Sequence, residues 1–240
     1  MTRVAIIAAL PGELKPLVRT WSHEKRNGID LWRLRHDDGE WVAACAGAGI
    51  AAATRAFAAA EADGPLTSVI STGWAGALNT DLKSGHAYSV SGVVDVRTGE
   101  RFFTATPTAN RWLATSPIVA NGHEKRRLVA TYSAALVDME ASAIARLAAM
   151  RSIPFYCVKG VSDGFSDNLP DFNRFISPSG QFQLGRFTLY ALSRPWHWPG
   201  LIKIGENSKR AAQSIAVSLL ELLDERGHIR KLNGYPNLQS

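Results

Sequence analysis

Apolar runs of strand length alternate along the chain with alanine-rich or amphipathic segments. Residues 4–10 form one such run, closed by Pro11-Gly12-Glu13, and a helix is expected from Glu13 toward Trp21. Residues 32–35 and 41–45 read as two strands joined by Asp37-Asp38-Gly39. After Gly47-Ala48-Gly49 comes an alanine-rich helix over 51–62, stopped by Gly64-Pro65. Further strands are expected at 68–72, 86–96, 112–119, 136–138 and 153–161, with Gly73-Trp74-Ala75-Gly76 read as a turn and 98–111 as loop. A second alanine-rich helix follows Met139-Glu140 and ends near Met150, and an amphipathic helix covers 206–223. Residues 167–199 are irregular and rich in Phe, Pro and Trp.

Strands that alternate with helices predict an α/β fold with a mainly parallel sheet covered on both faces. No internal linker is visible, so residues 1–226 are expected to form one domain and 227–240 a flexible tail. Ligands of such sheets bind where strands end and helices begin. Glu13, the two glycine segments, Glu140 and Asp163 all fall at such points.

Composition narrows the function classes. The chain has 240 residues, 46% apolar, with a net charge of +6. The basic residues are dispersed in short clusters such as 125–127, which read as solvated faces, and this argues against a nucleic-acid-binding module. Cys45 and Cys157 lie in apolar runs with no CxxC spacing, as buried free thiols of a cytoplasmic protein would. The first apolar run is too short for a signal peptide and lacks a cleavage site, and no segment of about 18 apolar residues is present. The six histidines are scattered without metal-ligand spacing, and GxxxxGK[ST] and GxGxxG are absent. No metal or cofactor is implied.

The candidate chemistry lies in carboxylates. Glu140 opens a helix, where an acidic residue suits the helix dipole and can also accept hydrogen bonds from sugar hydroxyls. Asp163 follows a buried strand; it can cap a turn, or act as a general acid in a partly desolvated place. Glu13 opens a helix. The glycine segments allow tight turns or close approach of backbone to a ligand.

Taken in order, Glu13, Gly47-Ala48-Gly49, Ser71-Thr72-Gly73-Trp74-Ala75-Gly76, Val137-Asp138-Met139-Glu140-Ala141 and Val161-Ser162-Asp163 resemble the purine nucleoside phosphorylase/nucleosidase superfamily. The motifs are most like those of methylthioadenosine/S-adenosylhomocysteine nucleosidase, and the resemblance covers about residues 3–176. It implies a three-layer α/β/α fold with a mixed central sheet. It also implies a small-molecule nucleoside substrate, no cofactor, and a homo-oligomer, often a dimer. By resemblance Glu140 binds the ribose hydroxyls, with Met139 packing under the sugar. Asp163, beside Ser162, protonates the base at N7, and Glu13 positions and activates water. Gly49, Gly73, Trp74, Ala75 and Gly76 line the site. Val119 and Ala120 lie against the base, and Phe172 near the 5′ position.

The resemblance leaves the nucleophile open. Glu13 would repel a phosphate dianion and can orient a water, which favours hydrolysis of an adenosine-type nucleoside. Lys15, Arg19 and Arg55 keep phosphorolysis as an alternative, and a nucleoside-binding protein without catalysis is a third reading. Two departures from the family pattern stand out. Trp74 stands where the family has a small residue, which reshapes the pocket floor. The stretch from Ser89 to Ser116 is short, without the expected helix, and this bears on the 5′ specificity. The segment 190–203, with three tryptophan or histidine rings between prolines, resembles the C-terminal region of the hopanoid-associated branch. Its Trp/Lys pattern would permit peripheral membrane contact, although packing at a subunit interface or over the core is the preferred reading.

Overall fold

A computed structural model of the chain describes residues 2–36, 39–105, 110–167, 172–175, 177, 183, 187 and 198–225. Strand β1 (Thr2–Ala8) shows at once why the sheet is covered twice. Its side chains alternate: Ala5 and Ile7 enter one core cluster, Val4, Ile6 and Ala8 the other. The same period of two divides β12 (Phe155–Asp163), with Phe155, Cys157 and Val161 on the first face and Tyr156 and Val158 on the second. The first face is filled by α2 (Ile50–Glu61) and α4 (Ala141–Met150), through Ala53, Ala56, Phe57, Ile144 and Ala148. The second is filled by α1 (Pro11–Leu14) with the turns after it, and by α5 (Trp198–Glu225), through Leu17, Trp21, Ile215 and Leu219. This is the expected three-layer α/β/α arrangement.

The sheet is mixed rather than mainly parallel. The other strands are β2 (Ser22–Arg26), β3 (Ile29–His36), β4 (Gly39–Cys45), β5 (Ser68–Ser71), β6 (Trp74–Ala77), β7 (Ala87–Ser89), β8 (Gly92–Asp95), β9 (Arg101–Phe103), β10 (Trp112–Thr115) and β11 (Leu136–Asp138). Their order is β2-β3-β4-β1-β5-β12-β6-β11-β10-β8-β9, and β7 pairs with β12 off this path. Strands β4, β1, β5, β12 and β6 run parallel, as do β11, β10 and β8. The two sets meet antiparallel at β6/β11, and β2, β3 and β9 add antiparallel edges.

Several elements differ from the sequence reading for identifiable reasons. Gly73-Trp74-Ala75-Gly76 is mostly strand, because the nine-residue β12 outruns β5 and offers Gly160, Val161 and Asp163 as ladder partners to Trp74, Ala75 and Gly76. Only Gly73 turns, with φ +117°. The helix after Glu13 stops at Leu14, since Pro16 can donate no backbone hydrogen bond. The run 86–96 divides into β7 and β8, and β9 adds a short strand within the expected loop. Strand β2 and helix α3 (Gly122–Tyr132) were not foreseen. Helix α5 begins eight residues before 206. The tail 227–240 and residues 190–197 of the Trp-rich segment lie outside the described residues.

Candidate active site

The carboxylates are gathered along β6. Glu13 is buried, and its Oε2 accepts the backbone N–H of Ala9 and Leu10, each at 2.8 Å. Its Oε1 accepts the N–H of Trp74, the first residue of β6, at 2.8 Å. A Cβ on Gly73 would sit 2.8 Å from Glu13 Oε1, so the glycine is required there for space as well as for its positive φ. Burial raises the Glu13 carboxyl above its ordinary value, against the opposing pull of the Trp74, Leu10 and Ala9 N–H groups and of Lys159.

Asp163 stands at the other end of β6. The β12/β6 register shifts between Val161 and Asp163, which then pairs with Gly76. Such an irregularity re-aims a side chain at the end of a strand. Asp163 Oδ1 accepts from the Ser162 hydroxyl at 2.8 Å, and Oδ2 accepts from Lys125 Nζ at 2.5 Å. The reversed direction of β11 supplies the third carboxylate. Leu136 pairs with Ala77 and Val137 with Gly76, so the chain leaves β11 heading back toward the Trp74 end. Met139 and Glu140 follow directly and line the same cavity as the other two acids. Glu140 Oε1 accepts the N–H of Gly49 at 2.5 Å, and Oε2 accepts that of Met139 at 3.3 Å. Gly49 has φ +90°. Burial, then the neighbouring Asp138, pushes the Glu140 carboxyl up to about 8.

One cavity of about 800 Å³ connects these groups. Glu13, Met139, Glu140, Ser162 and Asp163 line it, together with Trp74, Ala75 and Gly76 of β6 and with Val119 and Ala120. Gly49 and Gly73 stand behind the wall, each touching a lining carboxylate. Phe172 begins the short 3-10 turn Phe172–Phe175, and its side chain is outside the described residues. Arg55 does not line the cavity; its guanidinium donates to the Ala46 carbonyl at 3.2 Å. Lys15 and Arg19 do line it, as do Leu201, Ile204 and Lys209 of α5. Trp74 closes this side: its indole N–H donates to the Ser208 carbonyl of α5 at 2.9 Å, and its ring lies over Gly12, whose Cβ position is 3.2 Å away. This departure from the family pattern is thus a tryptophan tying the central sheet to the last helix.

Two buried lysines were not singled out from the sequence. Lys159, on β12, sets its ammonium 2.9 Å from Asp138 Oδ2 and donates to the Thr72 carbonyl at 2.8 Å. Burial lowers this ammonium's pKa, but Asp138, Cys157 and Glu140 carry it net upward. Asp138 also accepts the N–H of Ala141 at 3.0 Å and the Thr115 hydroxyl at 2.9 Å, which ties the start of α4 to the sheet. Lys125 is the partner of Asp163. It belongs to α3, where it shares the inner face with Leu128. A signal for this helix is present in Asn121-Gly122-His123-Glu124: the Asn121 side chain accepts the N–H of His123 and Glu124, and an acidic residue stands at the third helical position. Among the described residues no helix is long and apolar enough to cross a membrane.

A search of curated proteins finds no match to this chain. Among solved structures it is similar to the 5′-methylthioadenosine/S-adenosylhomocysteine nucleosidase of Helicobacter pylori, at TM-score 0.69 and 16% identity over 94% of this chain and 99% of that one. It is similar to the futalosine hydrolase of the same organism, at TM-score 0.70 and 16% identity over 94% and 100%. It is also similar to the 5′-methylthioadenosine nucleosidase of Arabidopsis thaliana, at TM-score 0.70 and 17% identity over 98% of each chain. At such identities the likeness concerns the fold. The family model described as the phosphorylase superfamily matches residues 3–119 and 96–179, which is most of the chain, and the protein belongs to that superfamily.

Proposed function

We propose that the protein is a nucleosidase that hydrolyses the N-glycosidic bond of a purine nucleoside of the adenosine type. The observation that carries this reading is the convergence of Glu13, Glu140 and Asp163 on one cavity, strung along β6. Cleavage of a nucleoside passes through a cation-like sugar, an electron-rich leaving base and an incoming nucleophile. The Asp163 end takes the base, against Val119 and Ala120. Glu140 holds the ribose hydroxyls, with Met139 beneath the ring. Glu13, fixed by three backbone N–H groups, has one of its about four lone-pair sites left to orient a water and accept its proton. Paired carboxylates at an oxocarbenium-like centre serve O-glycosidases in the same way. The solved neighbours named as nucleosidases and as futalosine hydrolase support the reaction class.

Hydrolysis is favoured over phosphorolysis because a phosphate dianion at the water position would lie against Glu13, and the cation whose charge reaches Glu13, Lys159, is held by Asp138 and the Thr72 carbonyl. The 5′ substituent points toward α5, where Leu201 and Ile204 give apolar surface and Lys15, Arg19 and Lys209 give charge.

Base release from adenosine, methylthioadenosine, S-adenosylhomocysteine and inosine, measured with and without phosphate, tests the reading. Release without phosphate is expected, with each of Asp163→Asn and Glu13→Gln lowering kcat about 10²–10⁴-fold. Release that requires phosphate would make the protein a phosphorylase. No release from any of the four would remove the enzymatic reading for these substrates.

A further inference from the structure

Lys125 is 1% exposed, yet its ammonium reaches the cavity wall. Its Nζ donates to Asp163 Oδ2 at 2.5 Å and to the Gly164 carbonyl at 2.7 Å. Gly76 packs against the pair: a Cβ there would lie 3.0 Å from Asp163 Oδ2 and 3.4 Å from Lys125 Cε. An ammonium carries three hydrogens and a carboxylate about four lone-pair sites. Among the described residues, two of the hydrogens are used, and two of the lone-pair sites are taken by Lys125 and Ser162. The pair therefore offers a ligand one donor, on Lys125, next to free acceptor sites on Asp163.

That remainder matches one purine edge and not the other. The N7 edge of a 6-aminopurine presents an acceptor, N7, beside a donor, the 6-amino group; a 6-oxopurine presents two acceptors. One donor beside a carboxylate satisfies the first. It leaves the second with its 6-oxygen facing a negative group. Resting on the reading that the base lies at the Asp163 end, the geometry points to Lys125 as the group that hydrogen-bonds N7, with Asp163 accepting from the 6-amino group. Lys125 is then the acid of the reaction, and Asp163 holds it in place and reads the base. As the C1′–N9 bond breaks, its electron pair stays with the base, and one Lys125 proton passes to N7. Water adds to C1′ and gives a proton to Glu13. Glu13 returns that proton to solvent and Lys125 takes one back, so one nucleoside and one water give one neutral base and one free sugar.

Equilibrium binding of the free bases separates this role from a structural one. Wild-type protein is expected to bind adenine at least about ten-fold more tightly than 7-deazaadenine, which lacks the N7 acceptor, and more tightly than hypoxanthine; ten-fold corresponds to about 1.4 kcal/mol. In Lys125→Met the adenine/7-deazaadenine ratio is expected to collapse to about 1, whereas a counter-ion that only props Asp163 would leave the ratio intact as both affinities fall. A ratio that survives in Lys125→Met overturns the assignment. Should that variant fail to fold, wild-type protein that binds hypoxanthine as tightly as adenine, or 7-deazaadenine as tightly as adenine, overturns it alone. Adenine bound in the expected way, with no base released from any nucleoside, would refute hydrolysis and with it the role of Lys125 as acid, and leave Lys125 standing as the group that hydrogen-bonds N7.

Discussion

Gly73 carries two constraints at once. Its φ of +117° lies where L side chains rarely go, and its missing Cβ leaves Glu13 its place. Gly73→Ala is expected to destabilise the protein by about 1–3 kcal/mol through backbone strain. It should also lower kcat by more than that loss of folded protein explains, because Glu13 must move off the Trp74 N–H. Denaturant midpoints measured beside kcat at saturating substrate check this; a variant with unchanged kcat would mean that Glu13 is not held for catalysis. The three acids were legible in the sequence because each stands where an apolar strand ends, which is where α/β sheets bind ligands. Lys125 was not, because Lys125-Arg126-Arg127 reads as a solvated cluster until the inner face of α3 is known. Its neighbour Arg127 does pair with Glu124 at the surface, as such a cluster would.

At the scale of elements, the contact between β12 and α5 fixes the second layer. Gly160 faces α5, and a Cβ there would lie 2.9 Å from both Ala211 Cβ and Ile215 Cδ1 and 3.0 Å from the Ala211 carbonyl. Gly160→Val is expected to cost about 1–3 kcal/mol, as overpacking does. Gly205, inside α5, has nothing within 4 Å of its Cβ position. Gly205→Ala should stabilise the helix by about 0.5–1 kcal/mol. Thermal melts of the two variants should move in opposite directions; a melt of Gly160→Val equal to wild type would mean that α5 does not seat against the sheet. The alanine-rich helices and the central strands were legible from their periodicity. Helix α3 was not, since of its eleven residues only Lys125 and Leu128 are buried and the apolar stripe is too thin to see. Strand β6 was hidden for the opposite reason: a Gly-rich segment reads as a turn unless a long neighbouring strand supplies the ladder, and that pairing is a property of the sheet, not of the segment.

Across the whole molecule, the cavity is lined by four buried carboxyl groups, Glu13, Asp138, Glu140 and Asp163, against one buried ammonium, Lys125, with a second, Lys159, behind it on Asp138. The imbalance of acids has a consequence for stability. Burial and Asp138 push the Glu140 carboxyl up to about 8 in the folded protein, from an ordinary value of 4.5, so the fold binds its proton more tightly than the unfolded chain does. The stabilisation is complete below the unfolded value and is lost as pH rises toward the folded one, because over that window the native state holds more protons. Glu13, also raised by burial, acts in the same direction. The melting temperature of the ligand-free protein is therefore expected to fall between pH 5 and pH 8, roughly the interval between the two values for Glu140. Glu140→Gln, which cannot titrate, should fall less steeply over the same interval, with Glu13 left to supply the remaining slope. A nucleoside that donates its ribose hydroxyls to Glu140 favours the carboxylate, so its binding should release protons in that window and flatten the wild-type curve, an effect missing from Glu140→Gln. Calorimetric melts across the pH series, with and without ligand, measure both slopes. Parallel curves for wild type and Glu140→Gln would show that the buried glutamate is not the group whose proton the fold retains.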